Sequence, residues 1–189
     1  RILYFSDCSI YGGSDRNIIH IANYMAEQPE TQVFFAYRYF ETYQLGVERD
    51  LSNKVQALPL SLLSNDTFFH RINFISASRL IKRIIKLPFW LLYLVGFYTL
   101  YNYLVLRKTI GRIRPDLIHV NNGGYPASFT CQIAIFAARN SGADKIVYHI
   151  NNPAQKQGVL LDKVIDKKIN QYVNYFITAS RQALESLSQ

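Results

Sequence analysis

Residues 1–27 read RILYFSDCSIYGGSDRNIIHIANYMAE, and the fold turns on how this stretch divides. Ile2-Leu3-Tyr4-Phe5 is a short, continuous apolar run of the kind that forms a strand buried on both faces. It gives way to polar residues and then to Gly12-Gly13. From about residue 15 the apolar positions change period. Ile18, Ile19, Ala22 and Met25 fall on one side of a helix spanning 15–27, with Ser14 or Asp15 as its cap. A strand, a glycine turn and a helix make the first half of a βαβ unit. The glycine pair is neither a G-x-G-x-x-G fingerprint nor a Walker loop. It reads either as a tight turn that needs positive φ, or as a place where backbone N–H groups at a helix start come close to a ligand.

The same alternation continues down the chain. Strands are expected at 33–37, at 54–58 before Pro59, within 114–124, at 145–150 and at 175–179. Residues 38–53 read as loop. Helices are expected within 68–114 and over 125–140 and 158–173, with Ser180 capping a last one. Short apolar strands alternating with helices predict an α/β fold: a Rossmann-like, doubly wound parallel sheet with helices on both faces. In such a sheet ligands bind beyond the carboxyl ends of the strands.

Composition narrows the class. The 189 residues suit one domain of 1–189, and 49% hydrophobic content excludes a disordered chain. The only cysteines, Cys8 and Cys131, are too few and too scattered for a disulfide framework and read as small buried residues of a reducing, cytoplasmic compartment. No signal peptide is visible. A chain that starts with Arg1 in a strand and stops at Gln189 in a helix is expected to be part of a longer protein.

The net charge of +8 comes from one segment. Between Asp66 and Asp116 there are nine basic residues and no acid, whereas the rest of the chain is close to neutral. Arg79, Lys82, Arg83 and Lys86 share one helix face, with Leu80, Ile81, Ile84 and Ile85 opposite, which is the pattern of a helix lying on an anionic membrane. Leu87–Leu106 then carries no charge and includes Trp90. Residues 68–114 thus read as a basic and apolar helical insertion. A transmembrane helix ranks last, because the strands on either side would lie on opposite sides of the bilayer. A membrane-surface anchor facing lipid through Arg79, Lys82, Arg83, Lys86 and Trp90, and a core helix with a solvated basic face, both stay open. Nucleic acid is not expected as a partner, since the aromatics lie in an apolar run and not among the bases.

Four polar strand ends are the candidate site: Ser6 to Ser14, Asn121 to Tyr125, His149 to Pro153, and Ser180. The pairs Asn121-Asn122 and Asn151-Asn152 offer many donors and acceptors and suit hydroxyl-rich ligands such as sugars. Their structural alternative is turn chemistry, since Asn tolerates left-handed backbone. His119 and His149 each have a plain reading as hydrogen-bonded core histidines, and Ser180 as an N-cap. No carboxylate pair, metal cluster or Ser-His-Asp set stands out.

Taken in order, ILYFSDCSIYGGSDRNIIHIANYMAE, RPDLIHVNNGG, KIVYHINNP and YFITASRQALE resemble the N-terminal domain of family 4 retaining glycosyltransferases of the GT-B fold. The resemblance covers nearly the whole chain and is weakest over 38–113. It implies one half of a two-domain enzyme, with a C-terminal donor-binding domain as a further partner. It implies transfer from a nucleotide-diphosphate sugar to an acceptor hydroxyl with the anomeric configuration retained. The basic, apolar segment adds the expectation of a sugar or lipid-linked acceptor met at the inner membrane face, in bacterial cell-surface polysaccharide or glycolipid synthesis. No metal or other cofactor is implied. Gly12, Gly13 and Ser14 would face donor and acceptor, and Asn121, Asn122, Asn152 and Ser180 would line the rim. The family's T-x-H-(N/D) pattern places Asn151 at its histidine, and a shift of two residues places His149 there; both are candidate catalytic residues. The alternative to the enzyme is a non-catalytic sugar- or nucleotide-binding module.

Overall fold

A computed structural model describes residues 1–125, 128–154 and 160–187. Strands β1 (Ile2–Ser6), β2 (Val33–Arg38), β3 (Val55–Leu60), β4 (Leu117–Asn122), β5 (Lys145–Ile150) and β6 (Tyr175–Thr178) form one sheet. Every pairing is parallel and the order is β3-β2-β1-β4-β5-β6. This is the order of a doubly wound, Rossmann-like α/β sheet, with its switch point between β1 and β4.

The helices are α1 (Gly13–Ala26), α2 (Glu41–Asp50), α3 (Asn65–Asn73), α4 (Arg79–Leu94), α5 (Phe97–Ile113), α6 (Phe129–Asn140), α7 (Leu160–Tyr172) and α8 (Arg181–Leu187). Alternation along the strands divides the core in two. Leu3, Phe5, Ile118, Val120, Ile146 and Tyr148 point to the side where Leu106 and Ile110 of α5, much of α6 and Ile169 of α7 pack. Tyr4, Val33, Phe35 and Tyr37 point to the other side, against Ile18, Ile19 and Ala22 of α1 and Tyr43 and Val47 of α2. The central strands are buried on both faces, which is why they read as largely continuous hydrophobic runs.

Three sequence expectations change. The span 38–53 contains α2. Only Tyr43, Gly46 and Val47 of that helix face inward, so the apolar stripe is too narrow to mark a helix. Gly46 is itself a packing requirement, since a Cβ there would lie 2.2 Å from the Tyr11 ring. Strand β3 runs through Pro59 because it is an edge strand, where a missing N–H costs no ladder bond. Helix α1 begins two residues earlier than expected. Gly12 is its N-cap, and Asp15 reaches back to accept from the Gly12 N–H at 3.2 Å. Of the expected helices over 125–140 and 158–173, residues 126–127 and 158–159 lie outside the described residues.

The stretch 68–114 divides in function. Helix α5 is the crossover from β3 to β4, with Tyr98, Asn102, Leu106, Ile110 and Ile113 buried. Helix α4 buries no residue fully. The core-helix reading therefore holds for α5 and fails for α4.

Candidate active-site crevice

At the switch point the chain leaves β1 toward one face of the sheet and leaves β4 toward the other, and a crevice opens between the two loops. One side of it is a network of hydrogen bonds on the α1 face. Asp15 is only 1% exposed. Its carboxylate accepts from Ser6 Oγ at 2.7 Å, from Tyr43 Oη at 2.9 Å and from the Gly12 N–H. Burial, and then the Asp15 charge, pushes the Tyr43 phenol far up, so it stays a donor. Ser6 Oγ in turn accepts from Asn121 Nδ2 at 3.4 Å, and Asn121 Oδ1 accepts from Asn151 Nδ2 at 2.9 Å. Asn151 also donates to the Asn122 carbonyl at 2.8 Å. Asn122 donates to Tyr148 Oη at 2.7 Å on the opposite face. The expected site residues Asn121, Asn122 and Asn151 thus tie the ends of β1, β4 and β5 together.

The turn-chemistry reading falls only in part: Asn122 Oδ1 accepts from the Gly124 N–H at 3.5 Å, the bond of an Asx turn, but no asparagine among the described residues is left-handed. Among the described residues, positive φ outside glycine occurs only at Glu30 and Arg114, so the asparagines are not left-handed turn residues. Gly12 is extended, at φ −126°. A Cβ on Gly13 would meet nothing within 4 Å, and one on Gly12 would meet only the Asp15 carboxylate at an ordinary 3.7 Å. Neither backbone strain nor internal packing asks for this glycine pair. Both residues are exposed, with the first amides of α1 beside them.

His149 and His119 lie on the same sheet face as Asn121 and Tyr4. Their rings sit 5.6 Å apart, with Tyr4 5.3 Å from His119. His119 Nε2 and His149 Nδ1 are buried with no partner among the described residues, so neither is a hydrogen-bonded core histidine at that nitrogen. Burial, and then the neighbouring His149, lowers His119 from 6.5 to about 4, and burial lowers His149 as well. Between these values the unfolded chain takes up a proton that the folded chain refuses. Stability is therefore full above about pH 6.5 and is lost as pH falls toward about 4. Urea melts at about pH 7 and about pH 5 should differ by on the order of 2 kcal/mol, and His119→Phe should remove most of that difference. An unchanged difference in the variant would take this role away from His119.

The other side of the crevice is a cleft of about 500 Å³ under α3 and α5. At its base the Asp7 carboxylate accepts from Arg38 Nε at 2.5 Å and from Ser128 Oγ at 3.0 Å. Arg38 Nη1 donates to Ser64 Oγ at 2.7 Å and to Thr67 Oγ1 at 3.2 Å. Both charged side chains are 5% exposed. Tyr98, at 3% exposure, brings to this cleft a hydroxyl with no partner among the described residues, and Asn65 brings a buried Oδ1 in the same condition. Cys8 also lines the cleft. Burial, and then Asp15 and Asp7, pushes its thiol up to about 12, so it is no nucleophile.

Of the strand ends expected from sequence only Ser6 to Ser14 reaches this cleft, through Asp7, Cys8, Ser9 and Ile10; Gly12, Gly13, Asn121, Asn122, Asn151, His149 and Ser180 do not line it. Arg38, Asn65, Tyr98 and Ser128 were missed, and Asp7 fell inside the expected stretch without a role of its own. A charged residue just past each of two apolar runs, Asp7 two residues after Phe5 and Arg38 directly after Tyr37, is the signal that marks the pair. Ser180 Oγ accepts from the Ala183 N–H at 3.1 Å and caps α8, and Asn152 is exposed. Among the described residues no group of three or more His, Cys, Asp or Glu side chains is placed to hold a metal ion.

Compared with known proteins, the sequence matches no family model and no curated protein.

Proposed function

We propose that this domain is the acceptor-side half of a retaining glycosyltransferase, which moves a sugar from a nucleotide-diphosphate donor to an acceptor hydroxyl. The observation that carries the proposal is the crevice at the β1/β4 switch point. An open glycine turn stands on one side of it, and a polar cleft with unpartnered Tyr98 Oη and Asn65 Oδ1 on the other. Hydroxyl-rich ligands suit such a cleft, because each unsatisfied buried polar group gains a bond on binding.

In this reading the exposed amides at the start of α1 face the leaving diphosphate, whose growing charge they stabilise. Gly12 and Gly13 keep that approach free of side chains. Asn121 and Asn151 hold the strand ends in register. With the Asn151 amide donating to Asn121 and Asn122, His149 is the candidate for the family's histidine. A second Rossmann-like unit would supply most contacts to the donor, as the resemblance implies.

The test is nucleotide release by the intact protein over a panel of UDP- and GDP-sugars, followed by the anomeric configuration of the product. Release with retention is the expected result. Binding of a sugar or nucleotide without turnover would replace the enzyme by a binding module.

A further inference from the structure

We propose that the outward face of α4, continued by the exposed residues of α5, docks in the plane of an anionic lipid bilayer. The inference does not depend on the glycosyl-transfer reading. Helix α4 turns its bases and its apolar residues in directions the sequence pattern did not foretell. Lys82 Nζ donates to the Asn73 carbonyl at 2.8 Å, and Lys86 Nζ donates to Asn73 Oδ1 at 2.7 Å. Phe89 stacks on Phe68 with centroids 4.5 Å apart, and Tyr93 lies 6.2 Å from Tyr98. Lys82, Lys86, Phe89 and Tyr93 therefore form the inward side, at helical spacing. The opposite side carries Leu80, Ile84, Leu87 and Leu91, and it faces solvent: Leu80 is 67% and Ile84 61% exposed. Across the bend the apolar surface continues through Leu100 and Leu104 of α5. Leu94, Val95 and Phe97 at the bend are exposed as well, and this many exposed apolar side chains on one helix pair mark an interaction surface.

Charge selects the occupant. The bases Arg79 and Arg83 lie beside the stripe, Arg107 and Lys108 follow it, and no acid occurs between Asp66 and Asp116. A second copy would bring like charges together, whereas an anionic headgroup layer offers opposite charge around an apolar interior. Packing excludes spanning. No single helix among the described residues is long and apolar enough to cross a membrane, and α4 and α5 meet the requirement only as a pair bent by 61°. The inner side of α5 is also buried against the sheet. The pair can enter the interface only by its outer face. Tyr93 and Tyr98 of the same pair line the polar cleft, so docking brings that cleft to the headgroup layer.

Trp90, the only tryptophan, flanks the stripe and reports on it directly. The experiment is co-sedimentation with vesicles of equimolar phosphatidylglycerol and phosphatidylcholine, against phosphatidylcholine alone, with Trp90 emission read in parallel. The protein should pellet with the anionic vesicles, and its emission should shift to the blue. Ile84→Glu with Leu91→Glu should weaken binding by on the order of a hundredfold and abolish the shift. Arg79→Gln with Arg83→Gln should weaken it about tenfold. All four side chains are exposed, so circular dichroism should show an unchanged fold. Wild-type protein left in the supernatant with unshifted emission would overturn the proposal. So would a dimer, seen by light scattering, that Ile84→Glu with Leu91→Glu dissociates while vesicle binding is absent.

Discussion

Arg38→Ala should lose about 3–5 kcal/mol of stability in urea melts, the largest effect of any single substitution away from the apolar core. Removing the guanidinium leaves Asp7 charged, buried and without its cation. It also takes a partner from Ser64 and Thr67, which stand at the start of α3. The double variant Asp7→Leu with Arg38→Met should recover much of the loss, because it removes both charges and not one. The comparison separates two meanings of the ion pair. A large single loss with recovery in the double shows a pair whose worth lies in avoiding an unpaired charge. A loss below about 1 kcal/mol for Arg38→Ala would be the behaviour of a solvated surface pair, and would contradict the burial described for it.

Asp15→Ala should cost about 3 kcal/mol or more, through a different mechanism. Three donors lose their acceptor at once: Ser6 Oγ, Tyr43 Oη and the Gly12 N–H. The hydroxyls can rotate in search of others, whereas the backbone N–H cannot. Helix α1 also loses the residue that closes its first turn, a contribution of about 1 kcal/mol. Asp15→Asn keeps one acceptor oxygen and should fall between alanine and wild type. A double-mutant cycle with Tyr43→Phe should show coupling of on the order of 1 kcal/mol. Purely additive losses would mean that Asp15 and Tyr43 act independently.

The sequence made the sheet legible because parallel strands buried on both faces cannot hide their composition. Ile2–Phe5 is apolar from end to end, and the runs before Asn121 and before Asn151 are interrupted only by His119 and His149. What it obscured was whatever depends on few residues or on contacts across the sheet. Helix α2 buries three positions, one of them the glycine under Tyr11, and so leaves almost no period. The place of the asparagine pairs was readable, whereas their role was not. Asn151 meets Asn121 across 30 residues of sequence, as a bridge between strand ends. The Asp7–Arg38 pair follows once register is known: Ser6 lies opposite Tyr37, so the next residue of each strand must stand side by side. Helix α4 shows the limit of periodicity. The basic face was visible, but only packing against α3 reveals that Lys82 and Lys86 turn inward while the leucine stripe is left outside.

In the proposed reaction the glycine turn at the start of α1 faces the donor sugar. Nucleotide release by wild type, Gly13→Trp and Gly111→Trp tests this placement most directly. Neither glycine has a neighbour within 4 Å of an added Cβ, and neither has positive φ, so both variants should fold. Gly111 lies on the exposed side of α5 and does not line the cleft. Gly13→Trp should abolish release, and Gly111→Trp should match wild type. Full release by Gly13→Trp would place the donor elsewhere and contradict this placement.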